Sequence, residues 1–163
     1  MNQVARDRLP ERVWVCRAGP ANAFADAFYD LRLVGLTVPF IADATHAQRH
    51  EIAVALSRSH RAQAATMAAM LKHFVGGVEA GDLVITPAGR HKPLLVGHIK
   101  GDYRYDPSPS VPGLWHQRPV DWSYGPQWQR LSVASRQALS APVALYHPAA
   151  ASIILAELDI AHS

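Results

Sequence analysis

Two apolar segments joined by a short glycine-bearing loop constrain the fold of this chain more than any other feature. Residues 82–87 and 94–100 are rich in β-branched and aliphatic side chains, and Gly89 lies in the loop between them. Such segments around a loop that contains glycine are typical of a β-hairpin. The loop tip, Arg90–Lys92, carries cationic side chains, and tyrosines and tryptophans follow the second segment. Cations and stacking surfaces together indicate a nucleic acid as the partner.

Shorter segments with the periodicity of strands or helices occupy the rest of the chain. Further strands are predicted at 13–18, 33–38 and 117–122, and helices at 22–29, 60–75, 133–139 and 149–159. The Thr45–Gln48 segment fits a capping box that opens another helix. Arg118, Val120 and Trp122 share one face of the last strand, and Pro119 within it predicts an edge or a bulge. Strands without regular helical crossovers favour an α+β fold, a small mixed β-barrel with helices packed on the outside.

Length and composition predict a single domain, residues 1–163, that does not enter a membrane. The hydrophobic content is 49%, and no apolar run reaches the roughly 18 residues that span a bilayer. Met1 to Arg12 contains three arginines without a following apolar core, which predicts no signal peptide. The lone cysteine, Cys16, fits a reducing compartment and a small core side chain, so the expected location is the cytoplasm. A net charge of +3 permits binding to a polyanion without requiring it.

The sequence shows no pattern that would support catalysis or metal binding. Of nine histidines, only His46 and His50 have the i, i+4 spacing of a helical chelating pair, and no third ligand accompanies them. The acidic residues are scattered, and neither a Gly-x-Ser-x-Gly elbow nor a phosphate-binding Gly-x-x-x-x-Gly-Lys loop occurs. We therefore expect no catalytic residue, metal or cofactor in this chain.

Binding through aromatic rings is the remaining option. Trp14 and Trp122 lie in strand-like segments and are expected in the core. Tyr105 and Trp115 flank a segment rich in Pro, Gly and Ser, and they are expected to contact a ligand. Aromatic faces return roughly 1–3 kcal/mol per stacked base, which offsets the cost of removing a base from a duplex.

Four motifs together resemble a known family. They are Val-Trp-Val-x-Arg-Ala-Gly at 13–19, Gly-Asp-Leu-Val-x-Thr-Pro at 81–87, Val-Gly-x-Ile-x-Gly-Asp-Tyr-x-Tyr at 96–105, and Arg-Pro-Val-Asp-Trp at 118–122. Their order over residues 12–145 resembles the EVE-like branch of the PUA superfamily. It is most similar to the N-terminal modules of modification-dependent restriction endonucleases, which are related in fold to the YTH and SRA readers.

The resemblance implies a small β-barrel that holds a flipped, modified base in an aromatic or apolar pocket. Relatives often carry an aromatic residue near Val38, and Phe40 is expected to replace that ring here. Carried over by position, the base pocket is expected to contain Arg17, Ala18, Thr37, Val38, Phe40, Tyr103, Tyr105 and Trp115. Contacts to the DNA phosphates are expected from Arg90, Lys92, Lys100, Arg104 and Arg118.

The implied function is recognition of a modified cytosine, with 5-methylcytosine as the leading candidate, in double-stranded DNA. The module would target a nuclease domain located in the same full-length protein or in an adjacent partner. One alternative is a PUA-like RNA-binding domain that acts in RNA modification or in a stress response. A standalone enzyme is a further alternative, although it requires a catalytic cluster that the sequence does not contain.

Overall fold

A curled, seven-stranded sheet forms a half-barrel in the computed structural model, which describes residues 12–161. The strands are β1 (Val13–Cys16), β2 (Leu33–Leu36), β3 (Leu83–Thr86), β4 (Pro93–Ile99), β5 (Arg104–Tyr105), β6 (His116–Gln127) and β7 (Leu145–Tyr146). Their order is β2-β6-β4-β3-β1-β7, with β5 also paired to β6. This confirms a mixed α+β fold with a barrel-like sheet. The first eleven residues, on which the signal-peptide expectation rests, lie outside the described part.

The predicted hairpin is present, and it forms the middle of the sheet. β3 and β4 pair antiparallel, with Ile85 opposite Val96, and β4 continues into a long pairing with β6. β1 lies parallel to β3, with Trp14 opposite Val84. The backbone segments that follow β1 and β3 therefore leave the sheet at the same edge.

Five helices pack outside the sheet within residues 12–161. They are α1 (Ala25–Leu31), α2 (Arg49–Ser57), α3 (Ala64–Lys72), α4 (Val133–Ala138) and α5 (Ala151–Ala161). α3 continues into a wide π-helical turn, His73–Gly77. Among the residues that the structure describes, no helix is long and apolar enough to cross a membrane.

Apolar side chains pack on both faces of the sheet, as the alternation along β1 shows. Trp14 and Cys16 belong to a core that includes Phe28, Leu71 and Phe74. Val13 and Val15 belong to a second core, beneath α4 and α5. Because successive side chains of a strand point to opposite faces, a strand covered on both sides is apolar throughout. Trp14 and Trp122 are core residues, as predicted.

Several element boundaries differ from the sequence predictions. The helix expected to open at Thr45 begins at Arg49, because the Thr45 hydroxyl donates to the Asp43 carboxylate and caps no helix. β5 and β7 contain only two residues each and were not predicted. Pro119 was expected at an edge or a bulge. β6 as a whole lies between β2 and β4, but Pro119 itself has its ladder pair in β2 alone.

Pro119 occupies the point where β6 changes partners. Its residue pair in β2 is Leu33, and from Val120 onward the strand pairs with β4. The Pro119 carbonyl accepts from the Lys100 amide, and the β4 ladder begins only at Val120, so the residue without an N–H lies where the strand turns between neighbours.

Candidate functional site

A cavity of about 400 Å³ opens where β1 and β2 end, beside the first turns of α3. Its walls come from four separate segments of the chain: Arg17 to Pro20, Leu36 to Val38, Ala62 to Met70, and Pro142 to Ala144. The amide of Arg17 donates to the carbonyl of Ala144 at 2.8 Å, which joins the first of these segments to the last. The fold therefore builds the cavity from residues distant in sequence.

The loop after β1 shapes one wall of the cavity. Gly19 has a φ of 74°, and a Cβ at this position would lie 2.6 Å from the ring of Phe24. Only glycine avoids both the backbone cost and this collision. The Phe24 amide donates to the carbonyl of Ala18 at 2.8 Å, which holds the loop against the start of α1.

The lining of the cavity is apolar with a few polar groups. Leu36, Val38, Met67 and Met70 supply the apolar surface, and methionine is a flexible, polarizable side chain that adapts to a planar group. Arg17, Thr37, Gln63 and Thr66 supply the polar groups. Within residues 12–161, none of these four side chains makes a hydrogen bond to another residue, so all four are available to a ligand. A small number of polar groups on an apolar wall is typical of a ligand site.

A chain of hydrogen bonds supports the cavity wall at Val38 from behind. The Tyr103 hydroxyl accepts from the Ala44 amide at 3.1 Å and lies 2.7 Å from Nδ1 of His116. Nε2 of His116 lies 3.3 Å from the Val38 carbonyl, which can only accept. Nε2 therefore carries the proton, and Nδ1 accepts from the tyrosine.

Burial shifts the pKa values of both His116 and Tyr103 in this chain of hydrogen bonds. His116 is fully buried, and burial lowers its pKa below the ordinary value of 6.5 because the imidazolium would lose its hydration. Burial likewise raises the pKa of Tyr103, so its hydroxyl stays protonated and can donate to His116. The two rings are stacked, with centroids 5.8 Å apart. Tyr103 and His116 thus fix Val38 in place as a neutral pair.

The residues predicted for the base pocket divide into two groups. Arg17, Thr37 and Val38 line the cavity, and Ala18 is buried directly behind it. The four aromatic residues do not line it. Tyr103 lies behind the wall, Tyr105 packs against His116, Trp115 is half-buried outside the cavity, and the side chain of Phe40 is 73% exposed beside it. This cavity is lined by methionine and aliphatic side chains, and the four predicted aromatic residues lie outside it.

Two of the five predicted phosphate contacts lie on the same sheet edge as the cavity. Arg90 and Lys92 occupy the loop after β3, which leaves the sheet at the edge where β1 ends at Cys16 and Arg17 follows. Both are exposed, and Lys92 lies 3.7 Å from Asp26. Lys100 is at the opposite end of β4, 4.0 Å from Asp121, and is not grouped with them.

The remaining two predicted contacts, Arg104 and Arg118, are held by the protein. Nε of Arg104 donates to the Gln117 side chain at 2.9 Å, although the residue is exposed. Arg118 is only 3% exposed, and its guanidinium donates to the carbonyls of Phe74, Val75 and Gly101. Burial lowers its pKa, and no phosphate can reach it in this position. The assignment of Arg118 as a phosphate contact is therefore wrong.

Some residues in the cavity and near the hairpin loop were not predicted from the sequence as site residues. Gln63 and Thr66 line the cavity, and so do Met67 and Met70. A stacked pair, Tyr29 and Tyr124, lies near Lys92 with ring centroids 4.4 Å apart. The half-buried state of the methionines depends on how α3 meets the ends of β1 and β2. Helical periodicity alone does not predict this partial exposure.

Residues 36–142, more than half of the chain, match the family described as Domain of unknown function (DUF8426). The chain belongs to this family. The DUF8426 match includes the end of β2, all of α3 and the cationic hairpin, so it contains most of the cavity. No curated protein and no solved structure matches the chain. Within the part of this DUF8426 protein that the structure describes, no three His, Cys, Asp or Glu side chains are placed to hold a metal ion.

Proposed function

We propose that this protein is a DNA-binding module that recognises a modified cytosine by accepting the flipped base in the cavity at Arg17, Thr37 and Gln63. The cavity itself is the observation that carries the proposal. Its volume of about 400 Å³ falls in the range of small-molecule sites, and its wall combines apolar surface with groups that can donate and accept. An amide such as that of Gln63 can pair with the hydrogen-bonding edge of a base.

The energetics of flipping determine what the cavity must supply. Extruding a base from a duplex costs a few kcal/mol of stacking and pairing. Met67, Met70 and Val38 can return part of this cost through contact with the base, and the cations of the hairpin tip can hold the adjacent phosphates. The arrangement therefore supports a duplex as the ligand, with 5-methylcytosine as the leading modified base.

Discrimination between modified and unmodified cytosine requires more than one methyl contact. Burying a methyl group contributes about 0.8 kcal/mol, which gives only a few-fold preference. The remainder has to come from polar groups that stay unpaired, or from space that stays empty, when the unmodified base is bound. Gln63 and Thr66, on one helix and its preceding turn, are placed to impose such a requirement.

A substitution at Gln63 tests the assignment of the cavity. Gln63→Ala should reduce affinity for a methylated duplex by about ten-fold, the cost of one lost polar pairing, and should reduce the preference over the unmethylated duplex. Fluorescence polarisation with the two duplexes measures both quantities.

Gln48→Ala is the matched control. It also truncates a glutamine that immediately precedes a helix, in this case α2, and the Gln48 side chain makes no capping hydrogen bond. Equal affinity of the unaltered protein for methylated and unmethylated duplexes would contradict the proposal. A preference for structured RNA over both would favour an RNA-binding domain instead. The nuclease domain that such a module would deliver is proposed to reside in the full-length protein or in a neighbouring partner.

A further inference from the structure

Phe40 combines two features that rarely occur together in a folded domain. Its φ is 65°, in the left-handed region, and 73% of its surface is exposed. It follows Pro39 in a turn, at the position where glycine or asparagine is usual because φ is positive there. A bulky side chain in this conformation is an outlier.

Neither feature is offset within the domain itself. A glycine at position 40 would avoid the backbone cost, and an exposed aromatic ring gains little from burial. The nearest aromatic neighbour, His60, is 6.2 Å away between ring centroids and tilted by 44°. Strained residues of this kind often mark functional sites, where a bound partner repays the cost.

Phe40 lies close to the cavity along the chain, although it does not line it. Val38, two residues earlier, lines the cavity, and so does Ala62, two residues after His60. The neighbouring rings of Phe40 and His60 thus belong to two segments that both continue into the cavity wall. Phe40 itself lines a separate open groove of about 440 Å³, together with residues of α2 and the two that follow it.

The surroundings of the ring favour a polyanion with planar, stackable groups. Arg58 lines the same groove, and Arg61 is exposed on the connection between α2 and α3. One carboxylate, that of Glu51, also lies in the groove. An apolar ring that shares a groove with Arg58 matches the composition of surfaces that enter a base stack while cations hold the phosphates.

We propose that Phe40 is a wedge that inserts into duplex DNA and occupies the space left when the target base enters the cavity. This rests on the proposed function. The inserted ring would stack on the base pairs next to the vacated position and would prevent the flipped base from returning. It would act on the duplex and not on the recognition of the modified base itself.

Three probes separate the wedge from the cavity. They are a duplex with one 5-methylcytosine, the same strand unpaired, and a duplex with the 5-methylcytosine opposite an abasic site. Phe40→Ala should weaken binding to the intact duplex by about ten-fold or more, since the cost of unstacking is no longer repaid. Binding to the other two probes should change by less than about two-fold, because their base is already unpaired and costs less to extrude.

A matched variant and a stability measurement keep the result interpretable. Ile153→Ala truncates another exposed apolar side chain, on the terminal helix, and should leave all three affinities unchanged. The unfolding temperature of Phe40→Ala should equal that of the unaltered protein or exceed it, which excludes misfolding as the cause.

The outcomes distinguish the two proposals. Equal binding of Phe40→Ala and the unaltered protein to the intact methylated duplex overturns the wedge and leaves the proposed function in place. Equal weakening on all three probes also overturns it, because Phe40 would then contact the base. If the unaltered protein shows no preference for the methylated duplex, the proposed function fails, and the wedge fails with it.

Discussion

His116 shows at the scale of one residue how burial and hydrogen bonding select a protonation state. Tyr103 donates to one ring nitrogen and the Val38 carbonyl accepts from the other, so the neutral ring satisfies both partners. A protonated ring would place a second donor against the tyrosine hydroxyl, which would then lose its acceptor. The geometry and the burial both favour the neutral form.

This environment predicts a pH dependence of stability. The folded-state pKa of His116 lies below its ordinary value of 6.5, so as the pH falls below 6.5 the unfolded chain takes up a proton that the folded chain does not. The free energy of unfolding should therefore decrease below about pH 6.5 and be fully restored above it. Urea denaturation between pH 5 and pH 7.5 measures the change.

His116→Gln is the comparison variant because glutamine can donate to Val38 and does not titrate. We expect it to be less stable by about 1–3 kcal/mol at pH 7.5 and to show a weaker decrease on acidification. An identical pH profile in the two proteins would show that other histidines cause the decrease.

For Arg118, two features of the sequence predict different locations of the side chain. Its charge alone indicates a surface contact, yet Arg118, Val120 and Trp122 alternate along one face of β6, which indicates burial. The alternation was the better signal. Two of the three carbonyls that accept from Arg118 belong to a helical turn more than forty residues away, at a sequence separation of 44 for Phe74, and no local pattern predicts such a contact.

At the scale of elements, the link between the π-helical turn and β6 depends on that arginine. A wide turn leaves carbonyl groups without the amide partners of a regular helix. The Arg118 guanidinium donates to two of them, on Phe74 and Val75, and to the carbonyl of Gly101, two residues beyond the end of β4. One side chain thus joins the end of α3 to two strands.

Removing this donor should destabilise the fold and leave the charge of the surface intact. Arg118→Met should lower the free energy of unfolding by about 2 kcal/mol or more, because buried carbonyls lose their donors. Chemical denaturation measures this, with Arg104→Met as the exposed control that should change stability little. Unchanged stability of Arg118→Met combined with weaker DNA binding would restore the original assignment as a phosphate contact.

The elements themselves were predictable where the pattern was long enough. The hairpin of β3 and β4 follows from two apolar runs around Gly89, and its pairing is confirmed. β7 contains two residues, and a period of two cannot be recognised in so short a segment. Of the residues carried over from the resemblance, Arg17, Thr37 and Val38 line the cavity, and they lie at or just after strands that the sequence predicts. Gln63 and Pro142 reach the cavity through loops whose paths depend on tertiary packing.

At the scale of the whole molecule, the distribution of charge matters more than its sum. A net charge of +3 is small, and several cations face a carboxylate within 4.0 Å, such as Lys100 beside Asp121. Arg90 makes no ion pair or hydrogen bond with another residue of the described chain. Its charge, on the sheet edge that carries the cavity, is therefore free to act on a polyanion.

The hairpin tip is expected to contribute affinity without sequence preference. Replacing Arg90 and Lys92 together by alanine should weaken binding to methylated and unmethylated duplexes alike, and should reduce the salt slope of log K by about 2. Binding titrations between about 50 and 200 mM salt give the slope of log K against log salt concentration. Lys100→Ala, at the other end of β4, should leave it nearly unchanged. A loss confined to the methylated duplex would instead place the tip in contact with the modified base.

The parallel pairing of β1 with β3 has a consequence for how the chain reaches its native state. Both neighbours of β1 come later in the sequence, and the hydrogen bond from Thr86 to the Cys16 carbonyl spans 70 residues. During synthesis, the apolar segment Val13–Cys16 has no strand to pair with until β3 has left the ribosome. Pairing between strands so distant in sequence slows folding and prolongs the lifetime of aggregation-prone intermediates. Nascent chains that end before β3 and β4 have been synthesised should therefore depend on chaperones to avoid aggregation.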